Sequence, residues 1–270
     1  MPISVDSQRT RSPRRLLPLL CAMLLSAACA APEPAPDPTP SQSARSEAPA
    51  GADLDAAGLE ELGAVNVFFA HRSVGADIIE MGFPAVYQDL GVVPPTTTFR
   101  DHWLDQTEDP ASKLADFDHQ IRDEGLGEWA DVAVMKLGYV DILADTDVED
   151  VFDRYRSMMD ALEADYPAVV FLHVTVSVTA WVPENNAAIE RFNVLMRDRY
   201  APTGRLFDLA ASVSTCEDGE PDQGKTAEGA PYHRICPEYT RDGGHLNELG
   251  AKVAAEDMLR ALVAAIREQR

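Results

Sequence analysis

The feature that most constrains this chain is a regular alternation of short apolar runs with segments of helical apolar spacing between residues 64 and 270. The apolar runs lie at 65–70, 93–99, 131–137, 168–174 and 205–209, and the main helical segments lie at 76–82, 111–123, 146–165, 186–200 and 246–270. Strands separated by helices of this length pair in parallel through right-handed crossovers. The sequence therefore predicts a three-layer α/β/α domain built on a parallel sheet of about five strands.

The first 56 residues have a different composition from the rest. Four arginines precede an apolar run at 16–25, and small residues follow it up to Cys29. This order is typical of a secretory signal, since the apolar run is too short to span a bilayer. We expect a signal peptide at 1–28 with lipidation of Cys29, the alternative being an ordinary cleavage near Ala28 or Ala31. Residues 29–56 are rich in proline, alanine and serine, which predicts a tether before a folded domain at 57–270.

Charge and cysteine content both favour an exported protein. The chain carries 23 basic and 45 acidic residues, a formal net charge of −22. Such a surface repels phosphate backbones, so a nucleic-acid partner is not expected. Within the predicted domain, Cys216 and Cys236 flank a glycine-containing segment and no CxxC motif accompanies them. In an oxidising compartment this pair predicts a disulfide rather than a zinc site.

A serine follows the first predicted strand directly. The apolar run ends at His71-Arg72-Ser73, and the helical segment begins three residues later. Serine is among the preferred N-cap residues, so Ser73 has one purely structural interpretation. The other is a nucleophile presented at a sharp strand-to-helix turn. This stretch alone leaves both open.

Two further polar groups belong to the same edge of the predicted sheet. Residues 138–141 (GYVD) follow the third strand, and residues 242–245 (DGGH) precede the last helix. Functional groups of parallel sheets gather at the carboxyl ends of the strands. A nucleophilic serine needs a base, and the base needs a group that fixes its tautomer. Asp242 and His245 suit these two roles, although Asp242 also suits a helix cap.

Together these segments resemble the blocks of the SGNH/GDSL hydrolases, a family of esterases, lipases and carbohydrate deacetylases. His71-Arg72-Ser73 matches the serine block, 138–141 the Gly-x-Asn-Asp block, and 242–245 the Asp-x-x-His block, which is the most specific. The resemblance covers nearly all of 64–268. It implies a flavodoxin-like α/β/α fold, with Ser73 as nucleophile, His245 as general base and Asp242 as its orienting carboxylate. It implies no cofactor and no metal.

The chain departs from the family pattern where the oxyanion is bound. Val140 stands in place of the asparagine that donates to the oxyanion, His71 and Arg72 replace a glycine and an aspartate, and no glycine fits the second block. Losing one such donor costs about 10²–10³ in rate. Candidates for the remaining oxyanion donors and for the substrate cleft are Ser73, His71, His102, Gly138, Tyr139, Asp141 and Asn185.

The sequence thus predicts a serine hydrolase that cleaves an ester, with an O-acyl group on an envelope carbohydrate as the favoured substrate. The alternative is a catalytically weak binding module for a glycan or an acylated ligand, which Val140 keeps open. The expected location is the bacterial cell envelope, with a lipid anchor holding the protein to the membrane. A soluble secreted or periplasmic protein is the alternative.

Overall fold

The computed structural model describes residues 54–105 and 108–269. The predicted signal peptide, Cys29 and nearly all of the predicted tether lie outside the described residues. The first described helix begins at Ala56, close to the predicted start of the folded domain.

One parallel sheet forms the centre of the domain. Its strands are β1 (Val67–His71), β2 (Phe99–Trp103), β3 (Val132–Met135), β4 (Val170–Val174) and β5 (Leu206–Phe207), in the spatial order β2-β1-β3-β4-β5. Every neighbouring pair is parallel. The predicted five-stranded parallel sheet is confirmed.

Helices connect the strands and lie against the sheet. They are α1 (Ala56–Gly63), α2 (Ser73–Asp77), α3 (Phe83–Asp89), α4 (Pro110–Arg122), α5 (Leu126–Trp129), α6 (Val148–Asp165), α7 (Pro183–Tyr200), α8 (Leu209–Ser214) and α9 (Glu248–Glu268). A π-helical turn at Ile78–Gly82 joins α2 to α3. None of the described helices combines the length and the apolar composition needed to cross a membrane.

Burial explains why most strands could be predicted from apolar runs. All residues of β1, β3 and β4 are buried, because helices cover both faces of the sheet. The second predicted strand, 93–99, was wrong, because β2 starts only at Phe99. This strand lies at the edge of the sheet, and its middle residues Arg100 and Asp101 are exposed, so no apolar run marks it.

A small antiparallel hairpin follows α8. It consists of β6 (Gln223–Lys225) and β7 (Pro231–His233). The structure contains the predicted disulfide between Cys216 and Cys236, which closes the segment that carries this hairpin. A cross-link over a loop of this length stabilises the folded state by about 3 kcal/mol in the chain-entropy model.

Candidate active site

Ser73 lies where β1 passes into α2, at the C-terminal edge of the sheet. The N-cap of α2 is Arg72, whose backbone is extended, and no side chain caps this helix. Ser73 is the first helical residue, so its hydroxyl does not serve as an N-cap, and that interpretation is wrong. Its backbone N–H belongs to the first turn, where no intrahelical acceptor exists. The hydroxyl and the backbone N–H of Ser73 are therefore available for chemistry at the sheet edge.

Asp242 and His245 form a closely bonded pair in the loop before α9. His245 Nδ1 lies 2.7 Å from Asp242 Oδ2, while Asp242 Oδ1 accepts the backbone N–H groups of Gly244 at 3.0 Å and His245 at 2.8 Å. These bonds, led by the one from the His245 backbone, lower the pKa of Asp242 to about 2. An ionised carboxylate at this place fixes the proton on Nδ1, which leaves the Nε2 lone pair for a base.

The alternative role of Asp242 as a helix cap is also wrong. Helix α9 begins six residues later, at Glu248, and its cap is Asn247, whose side chain accepts the N–H of Gly250 at 3.0 Å. The side-chain hydrogen bonds of Asp242 serve its own loop and His245.

Trp181 supports the loop from outside. Its Nε1–H donates to the Asp242 carbonyl at 3.0 Å, and its ring covers Gly243 and Gly244. Gly243 has φ +92, and a Cβ there would lie 2.4 Å from Trp181 Nε1. Only glycine combines this backbone angle with such a close approach. The two glycines of the motif therefore permit the turn that brings Asp242 onto His245.

An ion pair ties the helix of Ser73 to the loop of His245. Asp77, one turn after Ser73 in α2, accepts from Arg241 Nη1 at 2.9 Å and from the Leu246 N–H at 3.0 Å. Asp77 is buried, so these bonds replace its contacts with water. The nucleophile candidate and the base candidate are thus held on neighbouring elements that are bonded to each other.

No hydrogen bond between described residues joins Ser73 to His245. Instead, His245 Nε2 lies 3.3 Å from the Tyr139 hydroxyl, and the two rings meet edge to face. Burial raises the pKa of Tyr139, so the hydroxyl is protonated and donates to Nε2. Catalytic hydrogen bonds are often long or poorly aligned until substrate binds. The structure brings together Tyr139, Asp242 and His245, and places Ser73 on the adjoining helix.

The turn after β3 is held by a buried ion pair. Asp141 accepts from the Gly138 N–H at 2.6 Å and from Lys113 Nζ at 2.5 Å, and both charged side chains are buried. This arrangement fixes the turn that carries Tyr139. It also places Val140 at the surface, 37 % exposed, with no hydrogen bond to offer.

Most of the other oxyanion candidates bond elsewhere. His71 is buried with Nε2 3.4 Å from Asp101; His102 bonds Asp116; Asn185 Oδ1 accepts the Ala144 N–H; and Gly138 and Asp141 bond each other. Burial lowers the pKa of His71, so it carries no charge to the site at neutral pH. Among the candidates, the Ser73 N–H and the Tyr139 hydroxyl remain near the reacting groups.

Several residues that shape the site were not predicted. Asp77, Arg241 and Trp181 give no local sequence signal, because their partners in the site are far away along the chain. Lys136, directly after β3, is buried and donates to the Leu137 carbonyl at 3.1 Å. Burial lowers the pKa of Lys136 to about 8.

An apolar cavity lies at the other end of the sheet. Its volume is about 140 Å³, and its lining includes Val67 and Phe99, the first residues of β1 and β2. Ser73 and Tyr139 follow the C-terminal ends of β1 and β3, and His245 contacts Tyr139, so this cavity is not part of the candidate active site.

Comparison with known proteins identifies similar solved structures only. No protein-family model matches the chain, and no curated protein matches it. A Streptococcus pneumonia protein, provisionally described as a platelet activating factor, is 15% identical over 76% of this chain and 87% of that chain, with a TM-score of 0.50. A provisionally described acylhydrolase from Bacteroides fragilis is 17% identical over 76% and 88%, with a TM-score of 0.49. A GDSL-like lipase from Bacteroides thetaiotaomicron is 15% identical over 77% and 88%, with a TM-score of 0.46.

At these identities the likeness establishes the fold, and the chemistry has to be argued from the residues of this chain. The sheet order, the flanking helices and this likeness agree with one another. The chain has a three-layer α/β/α fold and shares it with the Streptococcus structure.

Proposed function

We propose that the protein hydrolyses carboxylic esters with Ser73 as nucleophile, His245 as general base and Asp242 as the carboxylate that orients His245. The observation that carries the proposal is the Asp242–His245 pair, with Oδ2 and Nδ1 2.7 Å apart and Nε2 left as the basic nitrogen. A helix cap does not need this arrangement, whereas acyl transfer from a serine does.

The reaction proceeds in two stages. Ser73 Oγ attacks the acyl carbon while His245 Nε2 takes the hydroxyl proton, and the carbonyl oxygen becomes an oxyanion. The ester C–O bond then breaks, and His245 returns the proton to the leaving alcohol. Water attacks the acyl-enzyme in the same way, which releases the acid and restores Ser73. Asp242 stabilises the imidazolium in both stages and remains ionised.

The oxyanion receives less help than in the family pattern. The Ser73 N–H is an available donor, and Val140 supplies none. The Tyr139 hydroxyl donates to Nε2 in the free protein, and Ser73 Oγ–H has to take that position when the reaction starts. We therefore expect slow turnover, because each missing oxyanion donor lowers the rate by about 10²–10³.

Exposed aromatic rings support a carbohydrate ester as the substrate. Trp103, the last residue of β2, and Trp181, after β4, are each 49 % exposed on the edge of the sheet that carries Ser73. Exposed tryptophans of this kind offer flat apolar faces, on which sugar rings pack well. An O-acyl group on an envelope carbohydrate is the substrate that we propose; a small-molecule ester is the simpler form of the same chemistry.

The proposed location is the cell envelope. It rests on the basic and apolar N-terminal segments, on Cys29 and on the tether, all of which precede the described domain. We expect that only detergent releases the wild-type protein from membranes. The Cys29→Ser variant is expected to be released without detergent.

A ligand-binding module without turnover is the second candidate. It is favoured by the bond between His245 Nε2 and Tyr139, together with the valine at position 140. Both candidates use the same cleft, and only the first requires an activated serine.

Hydrolysis of a short activated acetyl ester separates the two candidates. Ser73→Ala and His245→Ala are each expected to lose at least about 10³-fold in kcat/KM, and the double variant no more than either single, since the groups act as a unit. Ser112→Ala and His119→Ala are matched controls, because Ser112 lies in the first turn of α4 and His119 has its own carboxylate partner, Asp123. A Ser73→Ala variant with wild-type activity would refute the assignment.

A further inference from the structure

We propose that Arg72 forms a subsite for an anionic group, a carboxylate or a phosphate, on the molecule that Ser73 attacks. The inference rests on the proposed function for the identity of the site. It adds the chemical class of the substrate, which neither the fold nor the Asp242–His245 pair specifies.

The position of Arg72 is the first step. It directly precedes Ser73, and its Nη1 donates to the Leu104 carbonyl at 2.8 Å. Its guanidinium carbon lies 4.9 Å from the centre of the Trp103 ring. Trp103 is the last residue of β2, the neighbour of β1, and Leu104 follows it, so the guanidinium lies on the β2 side of Ser73 at the C-terminal edge of the sheet.

The second step is that the charge of Arg72 has no counterion among the described residues. Most arginines of the described chain pair with a carboxylate, as Arg122, Arg197 and Arg241 do. Arg72 makes no such pair, although acidic residues outnumber basic ones by 45 to 23 in the sequence. Asp101, the acidic residue of β2, lies 3.4 Å from His71 instead. One of the five guanidinium N–H donors is used in the hydrogen bond to Leu104.

The third step is chemical. A guanidinium held by a carbonyl and an aromatic face is oriented before a ligand arrives, and its remaining donors match the two oxygens of a carboxylate or a phosphate. With a net charge of −22, the protein as a whole repels anions. A preference for an anionic ester therefore requires a local cation, and Arg72 supplies one beside the nucleophile.

The test compares an anionic and a neutral acetyl ester of similar shape, 4-acetoxybenzoate and 4-acetoxybenzamide, with 4-acetoxyphenyl phosphate as the phosphate form. The wild type is expected to show a kcat/KM ratio of anionic to neutral ester about 10- to 100-fold above that of Arg72→Met, mainly through KM, because charge-assisted hydrogen bonds are of that strength. High salt is expected to reduce the ratio in the wild type.

Arg100→Met is the matched control, because Arg100 also stacks on a tryptophan, at 4.0 Å from the Trp129 ring, near the opposite end of β2. It is expected to keep the wild-type ratio. An equal ratio in the wild type and in Arg72→Met would overturn the proposal. Comparison of the two anionic esters shows whether carboxylate or phosphate fits better.

Binding separates failure of this inference from failure of the proposed function. The amide 4-acetamidobenzoate has the same charge and shape as the ester and is not cleaved by an esterase. If the wild type hydrolyses none of the esters, the hydrolase proposal fails, and the Kd of this amide still reports on Arg72. A Kd about 10-fold or more weaker in Arg72→Met than in the wild type and in Arg100→Met supports the anion subsite. Equal Kd values in all three proteins contradict it.

Discussion

The loop at 242–245 carries His245, and the turn at 138–141 contacts His245 through Tyr139. The two segments are held in place in different ways. In the loop, the carboxylate of Asp242 bonds residues two and three positions later in the chain. In the turn, the position of Tyr139 depends on Asp141 and on Lys113, which lies 28 residues away from Asp141. The pair proposed to transfer the proton is therefore held mainly by local contacts, whereas the turn proposed to face the oxyanion depends on tertiary contacts.

Replacing Asp242 by asparagine is expected to have the largest effect. The amide oxygen can still accept the backbone N–H groups of Gly244 and His245, so the loop keeps its shape. Its NH₂ group then faces Nδ1, which moves the imidazole proton to Nε2 and removes the base. The expected loss in kcat is about 10⁴-fold.

Asp123→Asn is the matched control, since Asp123 bonds the exposed His119 in the same way, with 2.8 Å between Oδ2 and Nδ1. It is expected to leave kcat unchanged. An Asp242→Asn variant that retains most of its activity would mean that the local loop does not set the tautomer of His245.

Breaking the buried ion pair between Lys113 and Asp141 tests whether tertiary contacts hold the turn at 138–141. Asp141→Asn leaves the Lys113 charge buried without a partner, so the free energy of unfolding is expected to fall by about 3–5 kcal/mol. The double variant Lys113→Met/Asp141→Asn is expected to recover much of that loss, because the charge is removed and the amide oxygen still accepts the Gly138 N–H. Urea unfolding measures both values.

Asp118→Asn on α4 breaks a more exposed pair with Arg122 and is expected to cost less than about 1 kcal/mol. If Asp141→Asn costs no more than this control, the buried pair does not hold the turn.

Introducing a hydrogen-bond donor at position 140 tests the turn at 138–141 by adding a group rather than removing one. Val140 is 37 % exposed, so Val140→Asn costs little stability. If the turn at 138–141 faces the oxyanion as proposed, the new amide N–H donates to it. We expect kcat to rise by about 10²-fold, the value of one oxyanion donor. Val194→Asn, an equally conservative change at an exposed position of α7, is expected to change nothing. No increase in Val140→Asn would show that the turn does not present this position to the oxyanion.

The difference between local and long-range contacts also explains which features could be predicted from the sequence. Strands β1, β3 and β4 are buried on both faces, so their apolar runs are visible, whereas β2 at the edge has exposed polar residues and was misplaced. The Asp242–His245 pair follows from a four-residue motif. Asp77 and Arg241 lie 164 residues apart in the chain, so no local sequence pattern predicts the bond between them.

The preference of serine for N-cap positions suggested a structural role for Ser73 that the structure does not show. Serine is a common N-cap, but the strand-to-helix turn places Arg72 in the capping position and Ser73 inside the helix. This difference of one residue removes the N-cap role of Ser73, and the backbone geometry reveals it.

The central claim is that Ser73 is an activated nucleophile, and covalent labelling with a fluorophosphonate tests it most directly. The wild type is expected to take up one label per chain at Ser73, located by mass spectrometry of peptides, because phosphonylation of a serine by such a reagent, with loss of fluoride, needs an adjacent base. His245→Ala and unfolded protein are expected to remain unlabelled. Folded wild-type protein that takes up no label, or takes it up at Tyr139 or another residue, would contradict the assignment of Ser73.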